Sequence, residues 1–395
     1  MTITQHGIVL LIKSAITGER NKLPEGFSIE TEDAQKLIKR HHLMLLAYVG
    51  AVNCGISKTL PYMRQLFLYY CKEIVRNEEQ MAAIQRVFDA FEEHGIDYLP
   101  TKGCNLKAVY PKPEMRKMGD ADITIRREQC TKIDELMPTL GFTPAERGEG
   151  TVVWDSPALH LELHMHMSSF YNQSYYEDAW ERVHVVSGHR YAFGVEDEFI
   201  HVFNHFAKHY RNGGIGCRQL IDVYVLRLKH PKMDERYIYG EMKKIHLHKF
   251  YKNVLALLDV WFNNGMPTSV TEQIGEYIFS SGNWGSIKSH AAANQVIMAN
   301  ESGKKTNFKE RAILAEIFPN LKFMKERYPF LSKTPYLLPV SWVMRWGRAL
   351  RIGQERIPEL IQEWKNIEDE NVLEYQRQFK MVGLDIKSKM NDKGR

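Results

Sequence analysis

Apolar residues in the first part of the chain recur at helical spacing. Residues 1 to about 57 read as helical. Within them Leu37, Ile38, Leu45 and Val49 predict one buried face, behind an N-cap at Thr31 and before a stop at Gly55. Pro61 stands where a second, long helix would open. Leu66, Tyr69, Ile74, Met81, Ile84, Phe88 and Phe91 supply its buried side as far as Gly95. The period then shortens. IDYLP (96–100) predicts a strand, and 101–110 predicts a helix opened by Thr101, Lys102 and Gly103. A turn-rich connection leads to DADITIR (120–126). As a strand it sets Asp120, Asp122 and Thr124 on one face and Ala121, Ile123 and Ile125 on the other. A helix ending at Gly141 and two more strands, TVVW (151–154) and ALHLELHMHM (158–167), complete the series.

This order predicts the α+β class: a small mixed sheet with helices on one side, then a mostly helical part from Glu196 onward. Helices are expected over 196–213, 217–230, 237–265, 271–282 and 305–318, with an amphipathic stretch over 340–383. Three units follow: 1–95, a helical region packing on the core; 96–195, the sheet unit; and 196–395, the helical domain that covers it and shapes a cleft.

Composition narrows the class without naming a chemistry. The 395 residues are 44% apolar and 26% charged, ordinary for a folded protein, and the last eight residues are expected to be frayed. A net charge of +5 is compatible with an anionic substrate. The Lys and Arg are mixed with acids, with no clear nucleic-acid signature. The five cysteines have neither zinc spacing nor a disulfide framework. No segment has the pattern of a secretory signal or the length of a transmembrane span, so a cytoplasmic location is expected.

The acidic residues carry the sharpest signal. Asp120 and Asp122 on a strand lie about 7 Å apart at Cα on one face, where a divalent cation relieves their repulsion. Glu162 lies on one face of its strand with His160, His164 and His166, while Leu161, Leu163, Met165 and Met167 turn to the core. If the two strands pair, Asp120, Asp122 and Glu162 form a carboxylate triad able to hold the metals of an in-line phosphoryl transfer. The same histidine-rich strand permits a zinc or manganese hydrolase site instead. Lys102 and Gly103 are expected to hold phosphate at a strand–helix turn, although no Walker motif is present. Arg116 is read as a phosphate ligand or as the partner of a neighbouring carboxylate. His201, His205 and His209 share a helix face beside Lys208, and Arg218 and Asp222 are spaced to pair with each other. His205, Lys208, His209 and Arg218 are candidates for nucleotide contacts. The stretch with Trp342, Trp346 and several arginines admits a weak membrane-surface contact beside ordinary packing.

Residues 99–126, LPTKGCNLKAVYPKPEMRKMGDADITIR, followed by LELHMH at 161–166, resemble the uncharacterised bacterial nucleotidyltransferase-like family of the polymerase-β-like superfamily. Residues 204–222, NHFAKHYRNGGIGCRQLID, are similar to that family's later segment. The resemblance extends over about 30–350, with its specific motifs in a small part of that span. It implies Mg²⁺, or Mn²⁺, and a nucleoside triphosphate as substrate, with Glu162 as the third acid. The acceptor is unknown; the family's gene neighbourhoods point to a sugar, peptide or protein. One departure is Gly103-Cys104 where the superfamily often has Gly-Ser or Gly-Gly, which removes a hydroxyl donor from the phosphate turn. A catalytically inactive nucleotide-binding module and a metal-dependent phosphohydrolase are the alternatives.

Overall fold

The computed structural model describes residues 1–148, 150–167, 172, 174–177, 179–212, 214–282, 317–352 and 377–384. Its sheet has seven strands: β1 (Tyr98–Thr101), β2 (Ala121–Ile125), β3 (Thr143–Arg147), β4 (Thr151–Asp155), β5 (His160–His164), β6 (Val183–Ser187) and β7 (Arg190–Phe193). Their order is β3-β4-β5-β2-β1-β7-β6. β2 runs parallel to β5 and β1 parallel to β7, and the other neighbours are antiparallel. The sequence predicted β1, β2, β4 and β5. It missed β3, β6 and β7. β3 and β6 are the edge strands, and all of their residues are exposed or half-buried. A strand with no buried face has no alternation to read.

The α+β class holds, and the helices in chain order are α1 (Ile3–Thr17), α2 (Glu32–Arg40), α3 (Met44–Asn53), α4 (Pro61–Glu93), α5 (Gly103–Leu106), α6 (Cys130–Leu136), α7 (Val195–Arg211), α8 (Cys217–Lys229), α9 (Glu235–Lys244), α10 (His248–Phe262), α11 (Ser269–Ser281), α12 (Leu321–Arg327) and α13 (Leu338–Ile352). Thr31 caps α2 by accepting the Ala34 N–H, and Pro61 opens α4, both as the sequence implied. Two helices expected to be continuous are broken. His42 (φ 54°) separates α2 from α3, and His246 (φ 57°) separates α9 from α10. Most of the helix expected at 305–318, part of the amphipathic stretch at 353–376, and the terminal residues 385–395 lie outside the described residues.

Two large apolar cores result, beside a small cluster of Leu99, Met167, Tyr176 and Phe193. One face of the sheet, with Ala121, Ile123, Ile125, Leu161 and Leu163, packs against the C-terminal half of α4 and against α6. The period of two then commits Asp122, Thr124, Glu162 and His164 to the opposite face. The second core joins α1–α3 and the start of α4 to α7–α11. The middle of α4 belongs to neither. There the buried residues are Glu73, Asn77 and Gln80, while Tyr69, Ile74 and Met81, expected inside, are half-buried. Lys107 Nζ donates to Asn77 Oδ1 (2.7 Å) and to the Arg116 carbonyl (3.0 Å), and Gln80 Nε2 donates to the Met118 carbonyl (3.2 Å). The helix meets the connection there through Gln80 and Lys107, and buried carbonyls call for donors rather than alkyl groups.

His41 ties three helices of the second core together. The backbone N–H of Cys217 donates to its Nδ1 (3.3 Å), so Nε2 carries the hydrogen that faces the Phe279 carbonyl (3.1 Å). Burial pushes the His41 pKa down to about 4 against the ordinary 6.5, although the Phe279 carbonyl opposes the shift. A lowered histidine pKa means that the unfolded chain binds the extra proton. Stability therefore falls as pH drops from 6.5 toward 4. The contribution is about 1.4 kcal/mol per pH unit in that window. Urea midpoints measured between those pH values should fall more steeply for the native chain than for His41→Gln.

Candidate functional site

The turn from β1 into α5 opens the site. Thr101 pairs with Asp122 across the β1–β2 ladder, so the next residue, Lys102, arrives beside that carboxylate. Lys102 has φ 43° and ψ −106°, a backbone conformation costing about 1–3 kcal/mol for a residue with a side chain. Gly103 follows without a Cβ. One built there would meet the Asp120 carbonyl at 3.0 Å and the Met118 side chain at 3.1 Å. α5 has only four residues and runs into a 3₁₀ turn, so its dipole is small. The local charge at this turn is the Lys102 ammonium.

Asp122 and Glu162 are register partners on the parallel strands β2 and β5. Asp122 Oδ1 accepts from Lys102 Nζ at 2.8 Å and lies 2.9 Å from His164 Nε2. The same His164 nitrogen is 3.4 Å from Glu162 Oε2, and His164 Nδ1 is 3.1 Å from the Thr151 hydroxyl. Ligand atoms of Asp122, Glu162 and His164 all lie within 4.8 Å of one another. This is the one such acidic and histidine cluster among the described residues, and it is able to hold a divalent metal. The oxygen donors suit a hard cation, and the imidazole adds a ligand that Mn²⁺ accepts more readily than Mg²⁺.

The charges of these groups are interlocked. Burial would raise the Asp122 pKa, but the Lys102 ammonium and His164 outweigh it and hold the carboxyl well below the usual range. The hydrogen bond from His164 lowers Glu162, against its burial. His164 is raised, because its bonds to Asp122 and Glu162 overcome the effect of burial. Asp120, just before β2, is raised by burial and then by the negative charges of Asp122 and Glu162. It faces the same cavity but does not join the 4.8 Å cluster. The expected single carboxylate face is thus a pair in register, with Asp120 at its edge.

A cavity of about 300 Å³ lies over this face. Lys102, Gly103, Asp120 and Asp122 form its sheet side, and His205, His209 and Arg218 line its helical side. The Nε2 atoms of His205 and His209 are 3.0 Å apart, so one ring donates and the other accepts. Burial, followed by the charge of Lys102, holds His205 well below the ordinary histidine pKa. Arg218 donates to the Lys117 carbonyl at 2.8 Å, and no carboxylate among the described residues forms an ion pair with it.

One pairing read from the sequence needs correction. Asp222 does not pair with Arg218. It takes both guanidinium bonds of Arg116, at 2.8 and 2.9 Å, and the Tyr110 hydroxyl at 2.7 Å. Of the two roles read for Arg116, the structure shows the ion pair. Both partners are buried, and Asp222 raises the Arg116 pKa against the effect of its burial. His201, on the same helix side as His205, belongs to the packing. It stacks on Phe193 with 5.6 Å between centroids, and burial pushes its pKa down to about 3. Lys208 is half-buried and lies off the cavity lining. The histidine-rich strand supplies one ring to the cluster able to hold a metal. His160 turns to Asp155, and His166 is exposed beyond the strand end. His164, which the sequence placed only in the hydrolase alternative, is the missed member of the main cluster. Its signal was its position two residues from Glu162 on the same face. Tyr110 had no signal of this kind.

No curated protein and no solved structure matches the chain. The family model described as uncharacterised nucleotidyltransferase matches residues 28–263, more than half of the chain, and the protein therefore belongs to that family, within the polymerase-β-like nucleotidyltransferase superfamily.

Proposed function

We propose that the protein transfers a nucleoside monophosphate from a nucleoside triphosphate to an acceptor, with a divalent cation held by Asp122 and Glu162. The observation that carries this reading is the β2–β5 register. It sets those two carboxylates and His164 within 4.8 Å of one another, and through Asp122 the cluster borders a cavity that Lys102 and Arg218 also line. When bound, the cation supplies positive charge against the triphosphate and the departing pyrophosphate. Asp120 stands at the cavity edge as a third acidic group. Lys102 is the mobile point charge for a phosphate, because the carboxylate it now neutralises is the one a cation would take over. Arg218 forms no ion pair with a carboxylate among the described residues and suits another phosphate oxygen, and the His205–His209 pair borders the cavity where a base or acceptor would sit. Mg²⁺ and Mn²⁺ both fit, and His164 favours Mn²⁺.

The test is incubation of the purified protein with α-phosphate-labelled triphosphates, Mg²⁺ or Mn²⁺, and sugar, peptide and protein acceptors. Label on an acceptor with stoichiometric pyrophosphate supports transfer. The presence of His164 in the metal cluster favours one second reading, a metal-dependent phosphohydrolase, which would release nucleoside monophosphate or phosphate with no labelled acceptor. Tight nucleotide binding with no turnover on any acceptor would instead mark an inactive binding module.

A further inference from the structure

The segment 317–352 differs chemically from the rest of the described chain. It carries seven Lys and Arg against one acid, Glu326, whereas the whole protein has a net charge of only +5. The remainder of the molecule therefore has no positive excess. α13 alone holds Arg345, Arg348 and Arg351 and no acid. Apolar side chains of the same segment face solvent. Tyr336 is 75% exposed, Val343 61%, and Val340 and Met344 50% each. Val340, Val343 and Met344 are three and four residues apart and share one face of α13, with Tyr336 one turn ahead.

The opposite face of α13 is already in use. The indole N–H groups of Trp342 and Trp346 donate to the Pro319 and Ile317 carbonyls at 2.9 Å, and Phe318 meets both indoles edge-on. Among the described residues, the apolar stripe is thus what remains after the helix has made its own packing contacts. No helix among the described residues is long and apolar enough to cross a membrane.

We infer that α13 seats this stripe in the interfacial layer of an anionic lipid bilayer, lying along the surface with the segment's positive charge against the lipid phosphates. An amphipathic helix of this length buries its apolar side among acyl chains, and concentrated Lys and Arg add attraction to anionic headgroups. The aliphatic side chains also decide between polyanions. Val340, Val343 and Met344 suit hydrocarbon and Tyr336 suits the headgroup level, whereas a run of stacked nucleobases would find only that single ring along the stripe. The inference is independent of the transfer reaction.

Co-sedimentation of the full-length protein with vesicles tests it. One set is phosphatidylcholine alone and the other an equimolar mixture with phosphatidylglycerol. The protein should pellet with the anionic vesicles, far less with the neutral ones, and progressively less as salt rises. Val343→Asp combined with Met344→Asp should weaken binding at least about tenfold, since two apolar contacts are withdrawn and two negative charges added. Both side chains are exposed, so the unfolding midpoint and circular dichroism of the double variant should match the native protein. Absence of vesicle binding, or equal binding by the double variant, overturns the inference. So does capture by polyuridylate without vesicle binding, or lipid-free dimerisation in the ultracentrifuge that the double variant abolishes.

Discussion

Asp122→Asn is expected to lower metal-dependent transfer at least about a hundredfold and to weaken Mn²⁺ binding in calorimetry. The carboxylate is the hub of the cluster, since Lys102, His164 and the register partner Glu162 all converge on it. The amide keeps the volume and one acceptor oxygen but loses the charge. It also leaves the Lys102 ammonium without the counter-ion that its strained backbone presents it to. Asp120→Asn is the informative companion. Asp120 lies outside the 4.8 Å cluster, so its loss should reduce Mn²⁺ affinity less than the loss of Asp122. Unchanged Mn²⁺ affinity in Asp122→Asn would remove the basis for the proposed site.

Asp222→Ala should destabilise the protein by about 3–5 kcal/mol, because it strands a buried guanidinium. Arg116 would keep its charge after losing the carboxylate that takes both its guanidinium bonds, and the Tyr110 hydroxyl would lose its acceptor. Urea unfolding followed by tryptophan fluorescence measures the loss. Arg116→Met combined with Asp222→Leu should recover most of it, since an apolar pair needs no desolvated charge. A single-variant loss below about 1 kcal/mol would show that water reaches the pair. The pair also joins the connection before β2 to α8, across the cavity. Nucleotide affinity should therefore fall with stability in Asp222→Ala and return in the double variant if packing is what holds the walls.

The strands that bear the cluster were legible because each has one apolar and one polar face. Ala121, Ile123, Leu161 and Leu163 alternate with Asp122 and Glu162, and that alternation fixed which side chains meet. The pairing of β2 with β5 was a hypothesis that no local pattern tests, because register between distant strands is decided by packing. Arg116 shows the limit of spacing arguments. Arg218 and Asp222 have helical pairing distance, yet the acid turns to an arginine 106 residues away, since the buried side of α8 faces the connection. The middle of α4 was misread for a related reason. Glu73, Asn77 and Gln80 look like a solvated face until the partner surface is seen to carry the Met118 carbonyl and the Lys107 ammonium. The histidines of α7 divide by neighbourhood: one is enclosed by aromatic rings and two border the cavity, a distinction invisible to a spacing of four.

α4 runs unbroken for 33 residues, about 50 Å, with its first turns in the all-helical core and its last in the core beneath the sheet. A rigid strut therefore spans both halves of the molecule where a jointed linker would otherwise sit. Breathing of the two halves must flex that strut or slide neighbours along it, and the polar layer at residues 73–80 is where such give is cheapest, because hydrogen bonds to carbonyls can be exchanged with water while interlocked alkyl groups cannot.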